Sequence, residues 1–286
     1  MFKTLSFALI YFSFLFNIIQ ANDTFLRKEF SDNSVLCLHN PERTKDYIKY
    51  LSVSLKVMSQ NPDGSYSSGS GSIIYYDADK KMAYVASCGH FWNQGVFPVE
   101  SLKDKKCLII PYYQNNKKIE SPKSYQANVI FYSNVRGQDT SLITFYPDWV
   151  PKYIPIAPID YEYKENQVYH SLGCDLASEV AHYKVTFLGI SEYKDLITVN
   201  NSPRQGRSGG GLFDEKFYIG TCWGTSQEDG NGKGLFTSLE IIHNFWAKQK
   251  DYKFLLNIKN KSSLKIIDRN NKQKEYEENY IFSPSN

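Results

Sequence analysis

What limits the fold of this chain most is a succession of short apolar or alternating runs, each a strand's length and each closed by a turn. Leu51, Val53, Leu55 and Val57 alternate to one face, in a strand-like pattern that starts at Tyr47. Asn61-Pro62-Asp63-Gly64 signals a turn, residues 69–76 the next strand, Asp77-Ala78-Asp79-Lys80 another turn, and residues 82–86 another strand. Further strands are expected at 107–113, 125–132, 141–146, 167–172, 182–190, 195–199, 211–213, 218–223 and 234–237. Many short strands joined by turns, with few helical periods, specify an antiparallel all-β protein, either sandwich or barrel.

Pro147, Pro151, Pro155 and Pro158 crowd one segment. Neither a helix nor a central strand tolerates that density, so the segment reads as a linker dividing residues 47–150 from 151–250. One helix is well signalled. Thr237 with Glu240 forms a capping box, and Leu239, Ile242, Phe245 and Trp246 make one apolar stripe. It is expected to begin near Ser238 and fade around Lys250. Residues 251–286 form a polar tail in which 264–267 could add a strand, and residues 22–46 form a polar extension without a clear period.

The start of the chain has its own pattern. Met1-Phe2-Lys3 precedes an apolar run from Leu5 to Ile19, and Ala21 precedes polar Asn22-Asp23. A basic start, a compact apolar core and a small residue before a polar stretch describe a signal peptide over residues 1–21. The run is shorter than the ~20 residues that span a bilayer. The expected product is secreted or periplasmic, monomeric, and without stable membrane association. A net charge of +3 with basic residues scattered among acids gives no nucleic-acid footprint. Five cysteines, Cys37, Cys88, Cys107, Cys174 and Cys222, lie at wide irregular spacings and allow at most two disulfides, so a disulfide-dense scaffold is excluded.

The chemistry centres on Gly206-Arg207-Ser208-Gly209-Gly210-Gly211. A serine between glycines can sit on a sharp turn whose backbone N–H groups converge on an oxyanion. Such a nucleophile needs a base and a group that orients the base. Of five histidines, His170 and His182 fall in strand patterns and read as surface or satisfied structural residues. His243, on the helix, reads as a surface residue. His90 differs, because it follows the apolar strand Tyr84-Val85-Ala86 through the small-residue turn Ser87-Cys88-Gly89. Asp139 stands just before the apolar run Leu142-Ile143-Thr144-Phe145.

These segments, in this order, resemble the trypsin-like (chymotrypsin-fold) serine proteases. Residues 84–90 are similar to the family's apolar strand ending in small residues and His, 139–143 to its Asp-x-Ala-Leu-Leu segment, and 206–210 to its Gly-x-Ser-Gly-Gly. Ile219-Gly220-Thr221-Cys222-Trp223-Gly224 resembles the strand lining its substrate cleft. The resemblance spans residues 47–250. It implies two antiparallel six-stranded β-barrels with a C-terminal helix. Ser208 would be the nucleophile, His90 the general base and acid, Asp139 the orienting carboxylate, and the N–H groups of Gly206 and Ser208 the oxyanion hole. A polypeptide substrate would lie against Cys222, Trp223 and Gly224, over a small polar pocket at Ser202 and Thr221. No cofactor is expected and no metal ligand set is assigned.

The departures from the family pattern matter too. Arg207 stands where digestive members carry an Asp that receives a new N-terminus, so the chain looks more like bacterial-type members competent without that step. Gly211 replaces a usual proline, Cys222 a usual serine, and Ser202 an acid at the pocket base. Three rival readings exist. A catalytically silent homologue could act as a secreted binding or toxin-like module. Cys37-Leu38-His39 with Cys88-Gly89-His90 could hold zinc. Cys88 could itself be the nucleophile, against which its place two residues before His90 argues; a small buried thiol is the plainer reading.

Overall fold

The computed structural model describes residues 47–60, 64–92, 106–135, 138–226 and 232–256. The expected signal segment, Cys37, His39 and the expected strand at 264–267 lie outside the described residues.

Fourteen strands are present among these residues. The first barrel closes in the order β1-β2-β3-β8-β7-β4. Its strands are β1 (Ser54–Gln60), β2 (Tyr66–Asp77), β3 (Met82–Ser87), β4 (Lys106–Pro111), β7 (Tyr125–Ser133) and β8 (Thr140–Phe145). A small hairpin, β5 (Tyr113–Gln114) with β6 (Lys117–Lys118), turns through Asn115 and Asn116, both at positive φ. The second barrel closes as β10-β11-β14-β13-β12-β9. It is built from β9 (Val168–Cys174), β10 (Val180–Ile190), β11 (Leu196–Val199), β12 (Gly211–Phe213), β13 (Tyr218–Thr225) and β14 (Gly234–Ser238). Every pairing in both barrels is antiparallel.

Closure follows from patterning. In β1, Leu55 and Val57 face inward and Lys56 and Met58 less so; in β7, Ala127, Val129 and Phe131 are buried and alternate with more open neighbours. β8, central and paired on both edges, is buried along its whole length. Bending each sheet into a barrel needs local slips. Register shifts occur at Ile73–Tyr75, Val129–Phe131, Phe187–Gly189, Leu212–Phe213 and Cys222–Gly224.

Between the barrels, residues 146–167 carry no strand beyond an isolated parallel bridge of Ile156 to Tyr218. The proline-dense part still holds its backbone: Ile154 N donates to Ile73 O (3.1 Å) and Ala157 N to Tyr218 O (3.0 Å), so it is stitched to both barrels.

Four sequence expectations change. The strand expected from Tyr47 begins only at Ser54, because residues 47–51 form a helical turn in which Ser52 N donates to Ile48 O; Leu51 and Val53 are buried all the same. The run expected through Tyr113 stops at Pro111 and turns into the small hairpin. Helix α1 spans Leu239–Trp246 and is capped by Ser238, whose hydroxyl accepts from Ile241 N, not by Thr237. Thr237 is committed elsewhere, its hydroxyl donating to Asp139 O at 2.8 Å. His243 is not a surface residue but fully buried: its Nε2 bonds to Ala157 O (2.7 Å), so the interbarrel segment supplies the polar partner that lets an imidazole face inward.

Candidate active site

Strand register brings the first two candidate residues together. β3 pairs with β8 so that Ser87 lies opposite Ser141. Continuing two residues past Ser87, and two before Ser141, sets Gly89 against Asp139. There Asp139 Oδ1 accepts from Gly89 N (2.8 Å) and His90 N (2.6 Å), and Oδ2 lies 2.7 Å from His90 Nδ1. Asp139 is buried, and a buried carboxylate needs this many donors to offset its lost hydration. With Nδ1–H donating to Asp139, the imidazole's Nε2 is left as the basic nitrogen. Gly89 is required by space: a Cβ there would stand 1.7 Å from Ser133 O.

The other ring nitrogen faces a thiol. His90 Nε2 lies 3.8 Å from Cys88 Sγ. Cys88, then Asp139, holds the imidazole's pKa far above its ordinary value, at about 11, against the opposing effect of burial. Cys88 is buried as the sequence suggested, but it is also the group that meets Nε2.

The serine turn is built from two left-handed glycines, Gly206 (φ +89°) and Gly209 (φ +84°). Gly209 has no room for a side chain, since a Cβ would lie 2.2 Å from Ser70 O and 2.9 Å from Cys88 N. The turn is therefore pressed directly against the end of β3 that carries Cys88 and His90. Ser208 is half-buried between buried neighbours. Its carbonyl accepts from Ser70 N (2.8 Å), while Gly209 N donates to Cys222 O (2.9 Å) and Cys222 N to Gly210 O (2.7 Å). Both barrels thus grip one turn. Within the described residues the N–H groups of Gly206 and Ser208 donate to nothing, and Ser208 Oγ makes no hydrogen bond to His90.

Two residues that sequence reasoning left out position this turn. Ser70 on β2 donates through Oγ to Gly206 O (2.8 Å) and accepts from Cys174 N (2.7 Å), so a first-barrel hydroxyl ties down the turn and the end of β9. Asp175 meets Arg207, whose Nε and Nη2 each lie 2.8 Å from a carboxylate oxygen. Arg207 is fully buried, its Nη1 reaches Ser171 O (3.2 Å), and its guanidinium stacks 3.9 Å over Tyr183, which also donates to Asp175. No local signal marks Asp175. The unusual Arg207 was visible, and its need for a buried anion could have been inferred.

The expected pocket residues separate. Thr221 is buried with its hydroxyl 2.5 Å from Tyr218 OH, so it does not join Ser202. Thr225 does, its hydroxyl 2.5 Å from Ser202 Oγ, because the slip between Cys222 and Gly224 breaks the alternation of β13. A Cβ on Gly232 would sit 2.8 Å from both hydroxyls, which closes that group. Cys222 is buried against the turn, whereas Trp223 is partly exposed and nothing crowds the side-chain position of Gly224. Asp139, finally, is supported from the second barrel by Thr237, and the α1 residue Trp246 donates to Thr140 Oγ1 (3.1 Å).

No family model matches the sequence, and no curated protein does either. Solved structures share its shape. The active form of the Rv3671c protease from M. tuberculosis matches with a TM-score of 0.53 at 17% identity, over 73% of this chain and 86% of that one. The serine endoprotease from Yersinia pestis gives 0.52 at 15% identity over 73% of this chain; the chain spans 65% of that protein's length. The scabies mite inactivated protease paralogue S-D1 gives 0.53 at 11% identity, over 71% and 93%. The fold is thereby fixed: two closed six-stranded barrels of the chymotrypsin type, the architecture of the trypsin-like serine proteases.

Proposed function

For a chain with the fold of the trypsin-like serine proteases, we propose that it is a secreted serine endopeptidase acting through Ser208, His90 and Asp139. The observation that carries this reading is the juxtaposition of a partly exposed His90, held by the buried Asp139, with a glycine turn whose Gly206 and Ser208 N–H groups are uncommitted. His90 Nε2 takes the Ser208 proton as the hydroxyl attacks a peptide carbonyl, and Asp139 holds Nδ1–H and stabilises the imidazolium. The tetrahedral oxyanion is received by the Gly206 and Ser208 N–H groups, where losing one donor costs about 3–4 kcal/mol. His90 then protonates the leaving amine, and water, deprotonated by the same nitrogen, releases the acyl group from Ser208.

The substrate is an extended polypeptide added as a strand beside Trp223 and Gly224 on β13. With Ser202 at the pocket base, as the resemblance implies, that position carries a hydroxyl bonded to Thr225 and no carboxylate, so a preference for Arg or Lys at the cleaved bond is not expected. Export rests on the 1–21 signal pattern. Among the described residues no helix is long and apolar enough to cross a membrane.

A second reading has an observation of its own. His90 Nε2 faces Cys88 and not Ser208, and a silent homologue would keep the fold without forming the Ser208–His90 bond. Cleavage profiling on a peptide library, beside Ser208→Ala, separates the two. The endopeptidase reading expects cleavage that the substitution abolishes. Cleavage surviving in Ser208→Ala overturns the nucleophile, and none in either protein favours the silent homologue.

A further inference from the structure

We propose that Cys88 and His90 form an inhibitory binding site for a thiophilic divalent cation, zinc above all, which blocks the catalytic nitrogen while bound. The proposal rests on the reading of His90 as general base.

Two donors are already placed at the bite of one ion. Cys88 Sγ and His90 Nε2 are 3.8 Å apart. On a tetrahedral zinc, with bonds of about 2.3 Å to sulfur and about 2.0 Å to nitrogen, two such donors stand about 3.5 Å from each other. A shift of a few tenths of an ångström therefore suffices. The local chain explains the approach: Gly89, held against Ser133 by the absence of a side chain, turns the backbone so that residues two apart face each other.

The outer partner is also in place. Cys88, His90 and Asp139 each offer a donor atom within 4.8 Å of the others. Asp139, however, is committed to Gly89 N, His90 N and His90 Nδ1. It thus acts from behind the imidazole, as carboxylates do behind metal-ligating histidines, fixing the tautomer that directs Nε2 outward. That tautomer is the same one a general base requires. A cation and the Ser208 proton compete for one nitrogen, so occupancy and hydrolysis exclude each other.

Donor chemistry selects the ion. A thiol sulfur with an imidazole suits zinc and its cobalt(II) analogue, while magnesium and calcium seek oxygen. Binding displaces to solvent the proton held between Cys88 and His90, so that the sulfur bonds the metal as thiolate and Nε2 as neutral imidazole. Two protein ligands leave the remaining positions to water, which makes the site reversible and not structural. The ion reaches the pair through His90, whose side chain is 40% exposed, since Cys88 lies buried beneath it.

Cobalt(II) titration of the purified protein, reduced with a non-chelating phosphine, reads the site without reference to activity. One equivalent is expected to produce a thiolate-to-cobalt charge-transfer band that is lost in Cys88→Ser and in His90→Gln. Zinc inhibition of hydrolysis is expected to weaken about tenfold or more in Cys88→Ser, each variant compared with its own uninhibited rate. A band that survives Cys88→Ser, or cobalt bound without a thiolate band, overturns the proposal. A cobalt site that needs Cys88 in a protein that never hydrolyses peptides would keep the site and sink the endopeptidase reading. Hydrolysis with zinc sensitivity unchanged by Cys88→Ser would do the reverse.

Discussion

Arg207 and Asp175 form a buried, two-pronged ion pair, each prong 2.8 Å long, directly behind the serine turn. Arg207 is the residue between Gly206 and Ser208, so the guanidinium anchors both N–H groups assigned to the oxyanion hole. The charge at this position is opposite to the Asp that the resemblance associates with digestive members, and its partner lies within the same barrel. No new N-terminus is needed to satisfy it.

Removing the anion tests that anchor. Asp175→Ala leaves a buried guanidinium without its partner and is expected to cost about 3–5 kcal/mol of folding stability. Chemical denaturation measures it. A loss below about 1 kcal/mol would show that the pair does not hold the turn.

Ser70 is expected to act on catalysis through geometry. Ser70→Ala strands Gly206 O and Cys174 N, a cost of about 1–3 kcal/mol, and loosens the turn proposed to receive the oxyanion. Steady-state kinetics should show kcat falling more than tenfold with KM little changed. A rise in KM alone would make Ser70 a substrate-binding residue and not a positioning one.

The His170–His182 pair is expected to set acid stability. The rings are stacked on each other with Nδ1 and Nε2 2.9 Å apart, and His182 lies against Tyr47 and His170 against Tyr50. Burial first, then Lys184 and Lys49 around His170, lowers that imidazole to about 4; burial, His170, Arg207 and Lys184 lower His182 to about 3. The unfolded chain takes up these protons below about pH 6.5 while the folded protein does not. Stability is therefore complete above that pH and lost as pH falls toward 4 and 3. Melting temperatures recorded across this window should fall less steeply for His182→Gln than for the parent protein; parallel curves would contradict the assignment.

Cys88 is expected to shift the pH profile. It is the largest cause of the raised pKa of His90, and a base works only when deprotonated. In Cys88→Ala the acid limb of kcat/KM moves to lower pH. An unmoved limb would mean that Asp139 alone sets the titration.

Much of the fold could be read from the chain because its signals are local. Alternation of period two and turn residues placed the strands of both barrels, and β12 begins and ends where expected, at Gly211 and Phe213. His90, Asp139 and Ser208 stand out as candidates because each sits at a strand end or glycine turn; the structure joins His90 to Asp139 and forms no bond from Ser208 to His90. What stayed hidden depends on distant chain. Asp175 is 32 residues from Arg207, and the burial of His243 is made possible by the carbonyl of Ala157, 86 residues away. The alternation of Leu51 and Val53 also suits the end of a helical turn, so alternation alone sets the start of β1 too early. The meeting of Cys88 with Nε2 depends on the path of the Gly89 turn, which spacing alone does not specify.

Labelling with a fluorophosphonate probe tests the central claim most directly, since it reads the activated serine without knowledge of the substrate. The parent protein is expected to take up one label, mapped to the Ser208 peptide, with none in Ser208→Ala and far slower labelling in His90→Ala. A folded parent protein that stays unlabelled, or a label that persists in Ser208→Ala, would contradict a catalytic Ser208.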